Sequence, residues 1–281
     1  MVRLIRSAGD AGLALPGDSA SAGQTGEPPL KPVGKFKDLF SGHAEDYAEY
    51  RPGYPEELYQ FVAEQCKNYD IAWDCATGSG QTAIGIAPYF ERVFASDASA
   101  SQVENAFPHE NVTYFVSTAY HSGLPAHSID LVTISQALHW LDFEAFFKEV
   151  NRVLRPGGIL AAWCYLKPSV NKEMEPLITR YLEEIVGPYW PPEREYVDNG
   201  YQSIDFPFDE IDAPEFRASH HWDLERFLGY LNTWSAAKRF HRDKGYSPVD
   251  EIRDAMSHLW ENPKEEKNVT WPIRMRIGMK K

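Results

Sequence analysis

The sequence predicts an α/β fold: a doubly wound, mostly parallel sheet with helices on both faces. Three observations predict it. Apolar strand-like segments alternate with amphipathic ones from residue 71 onward. The first such segment, Ile71-Ala72-Trp73, runs into a glycine turn, Asp74-Cys75-Ala76-Thr77-Gly78-Ser79-Gly80, which opens a helix. The next, Val93-Phe94-Ala95, ends close to a carboxylate, Asp97. Strand, glycine turn, helix and a second strand tipped by an acid can hold an adenosine-containing cofactor at a sheet edge.

Taken in order, Phe36 to Tyr54 is aromatic and mixed in charge and closes with Arg51-Pro52-Gly53-Tyr54-Pro55, whose prolines break any helix. Glu56–Gln65 is expected as an amphipathic helix with Leu58, Phe61 and Val62 on one face. Strands are expected over 71–75, 92–96, 112–116, 131–135 and 159–163, and helices over 81–87, 99–105, 143–154 and 172–186. The helix from Phe143 carries Phe146, Phe147, Val150 and Leu154 at helical period, and Arg155-Pro156-Gly157-Gly158 ends it. Arg155 is expected to serve as the cation near that helix end. Alternation of this kind implies right-handed crossovers.

The second half changes character. Gly187–Pro192 is a break rich in Pro and aromatic residues, and Asn199–Pro214 is acidic with Phe206 and Phe208. Helices are expected over 223–239 and 248–260, and a last strand over 269–277. Residues 1–33 are expected as a flexible leader. The domain is expected to span 34–281, with an N-terminal lid and first helix (34–66), a cofactor-binding core (67–165) and a substrate cap with the final strands (166–281).

Composition narrows the functions. The chain has 281 residues, 43% of them hydrophobic and 25% charged, and a net charge of −13. That balance disfavours a general affinity for nucleic acid or an anionic membrane. No apolar run approaches the ~18 residues of a membrane span, and the expected location is cytoplasmic. The Arg3- and Arg6-bearing leader would also suit organelle targeting. Cys66, Cys75 and Cys164 have no metal-ligand spacing and are expected as free thiols, the latter two in the core. His220-His221 is not expected to bind metal, because neighbours on a strand face opposite ways.

In the glycine turn, Gly78 and Gly80 let the backbone approach a ligand where a Cβ would collide. Asp74 can organise backbone amides or accept from a cationic ligand group, and Asp97 can accept two bonds from a ribose diol. Gly78-x-Gly80-x-x-Ala83, with Asp97 following, also satisfies the dinucleotide pattern. A nicotinamide-dependent oxidoreductase therefore stays open beside a second adenosine cofactor, as does a cofactor-binding module without catalysis.

From about Phe36 to Tyr165 the chain resembles a class I S-adenosylmethionine-dependent methyltransferase of the small-molecule branch. Asp74 to Gly80 resembles the Asp-x-Gly-x-Gly-x-Gly turn, with Ala76 at the first glycine; Asp97 matches the ribose-binding acid. Ser128–Val132 with Gln136-Ala137-Leu138-His139-Trp140 resembles the fourth-strand motif, and Leu154–Leu160 the Pro-Gly-Gly turn before strand five. Tyr47–Pro55 together with His139-Trp140 is similar to the trans-aconitate methyltransferases. The resemblance implies a Rossmann-like sheet of seven strands with the last antiparallel, and S-adenosyl-L-methionine as cofactor. It implies Ala76, Gly78 and Gly80 against the methionine part, Asp97 on the ribose, Ala119 near the adenine and Gln136 at the amino acid end. It further implies Tyr47 and Arg51 closing over the cofactor, with Arg51 on its carboxylate. His139 is the candidate base or positioning residue and Trp140 a wall. The implied partner is a small-molecule acceptor, in a monomer or dimer.

Overall fold

The computed structural model describes residues 50–281. The element order is α1 (Glu56–Glu64), β1 (Ile71–Cys75), α2 (Gln81–Ile86), β2 (Arg92–Asp97), α3 (Ala100–Glu104), β3 (Val112–Val116), β4 (Ile129–Ser135), α4 (Phe143–Val153) and β5 (Leu154–Tyr165). Then come α5 (Glu175–Arg180), α6 (Arg194–Asp198), β6 (Asp209–Glu210), β7 (Phe216–Trp222), α7 (Leu224–Asn232), α8 (Ser235–Lys244), α9 (Arg253–Trp260) and β8 (Lys267–Met279).

The strands form one sheet in the order β3-β2-β1-β4-β5-β8, with β6 and β7 both pairing the outer side of β8. The seven positions of a class I sheet are thus filled by eight strands, the edge position being split in two. β1 to β5 are parallel, and β8 lies antiparallel to β5, Ala161 opposite Ile277. β1 is buried at every position, as expected for a strand covered on both faces. Two buried clusters cover those faces. One gathers Leu58, Val62 and Ile86 with Trp222, Tyr230 and Trp271, and the other packs Phe146, Phe147 and Val150 of α4 against Trp73, Val132 and Leu160. The helices start where short polar side chains satisfy their free amides: Ser99, Asp142 and Asp223 each accept from the backbone three residues on.

Four expectations change. The helix expected over 223–239 is two, α7 and α8, because the Thr233 hydroxyl turns back to the Tyr230 carbonyl at 2.6 Å and Trp234 is extended. The segment expected as helix over 172–186 begins at Glu175 and widens into a π-turn over Tyr181–Ile185. β6 and β7 lie in stretches where no strand is expected. Arg155 does not close the end of α4. It bonds Asp70 and Asp130 at 2.8 and 2.7 Å, and Lys280 donates instead to the Asn151 and Leu154 carbonyls at 2.5 and 2.8 Å. Among the described residues no helix is long and apolar enough to cross a membrane. The leader 1–33 and the lid as far as Glu49 lie outside the described residues.

Candidate active site

The turn after β1 is made by backbone conformation. Ala76, Gly78 and Gly80 all lie in the left-handed region, with φ of 54°, 57° and 90°. At Gly80 a Cβ would come within 2.2 Å of the Tyr114 hydroxyl, so the turn packs against β3 only without a side chain. At Ala76 a Cβ is tolerated, at the ~1–2 kcal/mol that the left-handed region costs an L-residue. The departure from glycine here is therefore backbone strain.

Asp74 is fully buried beneath this turn. Its carboxylate accepts from the hydroxyls of Thr77 at 2.5 Å and Thr133 at 2.7 Å, which ties β1, the turn and β4 together. Loss of hydration pushes it up to about 7. Of the two roles open to it, organising the turn fits. Contact with a cationic ligand group does not, because its side chain has no exposed surface.

Asp97, at the tip of β2, accepts from the Gly78 amide and the Ser99 amide, both at 2.9 Å. These bonds aim the carboxylate along the turn, and a carboxylate has about four acceptor positions. Among the described residues, buried polar atoms without a partner include Tyr114 Oη beside Gly80, Ser117 Oγ after β3 and Gln136 Nε2 after β4. Each such orphan costs about 1–3 kcal/mol, which a polar ligand would offset. Gln136 is itself left-handed, with φ of 55°, and its amide donates to the Trp163 carbonyl at 2.9 Å. An adenosine-bearing cofactor fits these residues. Ala119 is buried with Cys75 and Phe94. Tyr47 lies outside the described residues.

Beside Gln136 opens a cleft of about 650 Å³. Arg51, His139, Trp140, Tyr165, Lys167 and Arg194 line it, with Trp190, Tyr230 and Trp234. It lies past the carboxyl ends of β4 and β5, where open α/β sheets hold ligands. The Arg51 guanidinium donates to the Tyr165 hydroxyl at 2.5 Å and to the Thr233 carbonyl at 3.3 Å, over the rings of Tyr165 and Tyr230. Lys167 pairs with Glu175 at 2.5 Å, and Arg194 pairs with Asp198 at 2.7 Å while covering the Trp190 ring. His139 Nδ1 lies 3.0 Å from the Tyr201 hydroxyl. The Trp140 ring stands 4.7 Å from the imidazole. Burial, with Arg194 and Arg51 nearby, pushes His139 down to about 3 against a smaller opposing pull from Glu193. The ring is neutral at physiological pH.

The structure thus brings Arg51, Gln136, His139 and Trp140 to one cleft, next to the turn of Ala76, Gly78 and Gly80 with Asp97. Sequence reasoning missed Tyr165, Lys167, Arg194 and Tyr201. Tyr165 ends β5 and Lys167 lies two residues beyond it, a position that could have marked them. Arg194 and Tyr201 carry no local signal. His220 and His221 do face opposite ways on β7, half-buried and exposed. The three cysteines are free and buried. Among the described residues no three His, Cys, Asp or Glu side chains gather as metal ligands.

Residues 73–162 match the family described as a methyltransferase domain. A Dictyostelium discoideum protein named as a methyltransferase is 30% identical over 259 residues, covering 90% of this chain and 98% of its own length. A Saccharomyces cerevisiae protein named as an S-adenosylmethionine-dependent methyltransferase is 28% identical over 141 residues, 47% of each chain. Among solved structures, a protein described as a type II methyltransferase, from Anaeromyxobacter dehalogenans, is 40% identical with a TM-score of 0.77, covering 82% of this chain and 98% of its own. These likenesses decide between the cofactors left open by the turn in favour of S-adenosylmethionine. They also set aside a binding module without activity.

Proposed function

The chain belongs to the class I S-adenosylmethionine-dependent methyltransferases, and from that premise we propose that its acceptor is a small carboxylic acid, methylated on oxygen. The observation that carries this reading is the charge of the cleft. Arg51, Lys167 and Arg194 line it, and the described lining residues include no Asp or Glu, in a chain whose net charge is −13. A lining of cations favours the opposite charge, here against the pull of Glu175 and Asp198, which pair with Lys167 and Arg194. Trp140, Trp190 and Trp234 add flat apolar wall for a hydrocarbon body.

The cofactor supplies a methyl group on a sulfonium, already activated for in-line displacement. The protein's task is to align the acceptor oxygen and exclude water. A carboxylate is ionised at neutral pH and needs no base. On the cofactor side we assign Ala76, Gly78 and Gly80 to the methionine part, Asp97 to the ribose, Ala119 to the adenine and Gln136 to the amino acid end. Arg51 is assigned to the cofactor carboxylate with Tyr47 closing over it, which leaves Lys167 and Arg194 for the acceptor. Asp74 supports the turn from beneath. His139 and Trp140 are assigned to the acceptor's side, one as polar contact and one as wall. The Tyr47–Pro55 segment with His139-Trp140 supports a place near the trans-aconitate methyltransferases, a branch named for a carboxylic acid.

The test is turnover of labelled cofactor on a panel of small mono-, di- and aromatic carboxylic acids beside matched amines and phenols. Turnover confined to acids is expected. Turnover on amines or phenols with none on acids would overturn the reading.

A further inference from the structure

Among the described residues the His139 ring has one hydrogen-bond partner, Tyr201. His139 sits on a short turn, Leu138–Trp140, just past β4, and is 8% exposed, at the cleft. Its Nδ1 meets the Tyr201 hydroxyl at 3.0 Å, so Nε2 is the ring nitrogen left for the cleft. Tyr201 has no freedom to withdraw. It is fully buried, with φ of 66°. Its amide donates to the Tyr196 carbonyl at 2.7 Å, and its own carbonyl accepts from the Arg276 guanidinium at 2.7 Å. Arg276 is fixed in turn by two bonds of 2.7 Å to Glu210. A chain of contacts from the sheet edge therefore sets the place of one hydroxyl.

Burial holds the Tyr201 phenol far above its ordinary range, with Cys164 alongside, so the O–H proton stays on. The groups facing the imidazole are Arg194 and Arg51, Glu193 and this phenol, and together with burial they keep the ring neutral. A neutral imidazole donates at one nitrogen and accepts at the other, and the partner at one nitrogen decides which. An acting base would need Nδ1–H toward Tyr201 and a bare Nε2 in the cleft. Tyr201 sets the reverse when its hydroxyl donates to Nδ1 rather than to the Cys164 sulfur beside it.

We propose that Tyr201 holds His139 as the Nε2–H tautomer, so that His139 donates a hydrogen bond to the acceptor's carboxylate and takes no proton from it. This rests on the carboxylate reading above. One carboxylate oxygen accepts from Nε2–H while the other attacks the methyl carbon. The new O–CH₃ bond forms as the S–CH₃ bond breaks, with its electron pair going to sulfur. The products are an ester and a neutral thioether, and no proton moves. Tyr201 is a positioning residue in this scheme, and His139 is the residue that touches the acceptor.

Nitrogen-15 NMR of the His139 imidazole in the full chain with S-adenosylhomocysteine tests the tautomer without any acceptor. An Nε2–H ring at neutral pH is expected, giving way to a tautomer mixture in Tyr201→Phe. An Nδ1–H ring in the unmodified protein would overturn the proposal, and that result stands even if Tyr201→Phe does not fold. In turnover on an acid, Tyr201→Phe should lower kcat/KM about tenfold, the size of one lost hydrogen bond. His139→Gln, which keeps an N–H, should retain more activity than His139→Ala. The kcat profile should be flat from about pH 6 to 8, since a neutral donor has nothing to titrate there. A rising limb in that range, absent from His139→Gln, would mark a base and contradict the donor role. An Nε2–H ring in an enzyme that methylates only amines would defeat the carboxylate reading and leave the tautomer in place.

Discussion

On the cofactor side, one stretch from Asp74 to Gly80 and the single residue Asp97 form a turn whose parts bond one another, Gly78 to Asp97 at 2.9 Å and Thr77 to Asp74 at 2.5 Å. On the acceptor side, the cleft takes His139 from after β4, Lys167 from after β5, Arg194 from α6 and Trp234 from between α7 and α8. One region is local and dictated by backbone. The other exists only when distant elements meet. Under the proposed assignment few residues serve both sides, so affinity for the cofactor and choice of acceptor should be physically separable.

The largest break in that comparison is expected from Asp97→Asn. It removes a charged acceptor that also holds the Gly78 amide. Losing charge-assisted bonds worth about 1.5–3 kcal/mol should weaken S-adenosylhomocysteine about 10- to 100-fold by calorimetry. An unchanged affinity would remove Asp97 from the site. Next is Arg194→Met, expected to raise KM for an acidic acceptor about tenfold while cofactor affinity stays put. If both constants moved together, the two sides would not be separable.

Asp74→Asn probes the support beneath the turn. The Asp74 pKa near 7 lies above the ~3.9 of an unfolded aspartate. Its contribution is therefore full below about pH 4 and lost as pH rises through 7. Asn resembles the protonated acid and cannot titrate. The stability of Asp74→Asn relative to the unmodified protein should rise between pH 5 and 8 and level off above. A constant difference across that range would place the Asp74 pKa elsewhere. The smallest effect is expected from Ala76→Gly, which relieves a left-handed alanine and should gain about 1 kcal/mol in denaturant unfolding. A loss of stability there would show that the turn holds Ala76 without strain.

How much could be read beforehand follows the same division. The five parallel strands, the helices between them and the turn were legible, because burial on both faces leaves apolar runs and a left-handed backbone leaves glycines. Even so, two roles stayed open for Asp74, support of the turn and ligand contact, since nothing local reveals that Thr133 covers it. β6 is two residues long and has no period to detect, and β7 carries His220 and His221 where alternation would be read. The break before Trp234 has neither Gly nor Pro. Arg155 sat where a helix-closing cation belongs, yet Lys280, more than a hundred residues on, takes that place. Arg194, which opens α6, lines the cleft, and Tyr201 stands buried behind His139; the course of this stretch is set by the finished fold. Apart from the break at Thr233, whose cause lies three residues away, these misses involve partners far apart in the chain.

The central claim is that the cleft presents an ionised carboxylate, steered by cations and held by a neutral histidine, to the methyl donor. The most direct measurement is mild alkaline treatment of the product made with labelled cofactor, followed by mass spectrometry. Release of the label as methanol, with recovery of the starting acid, is the predicted result. A label that stays on the product through the alkali, as on nitrogen or carbon, would contradict it.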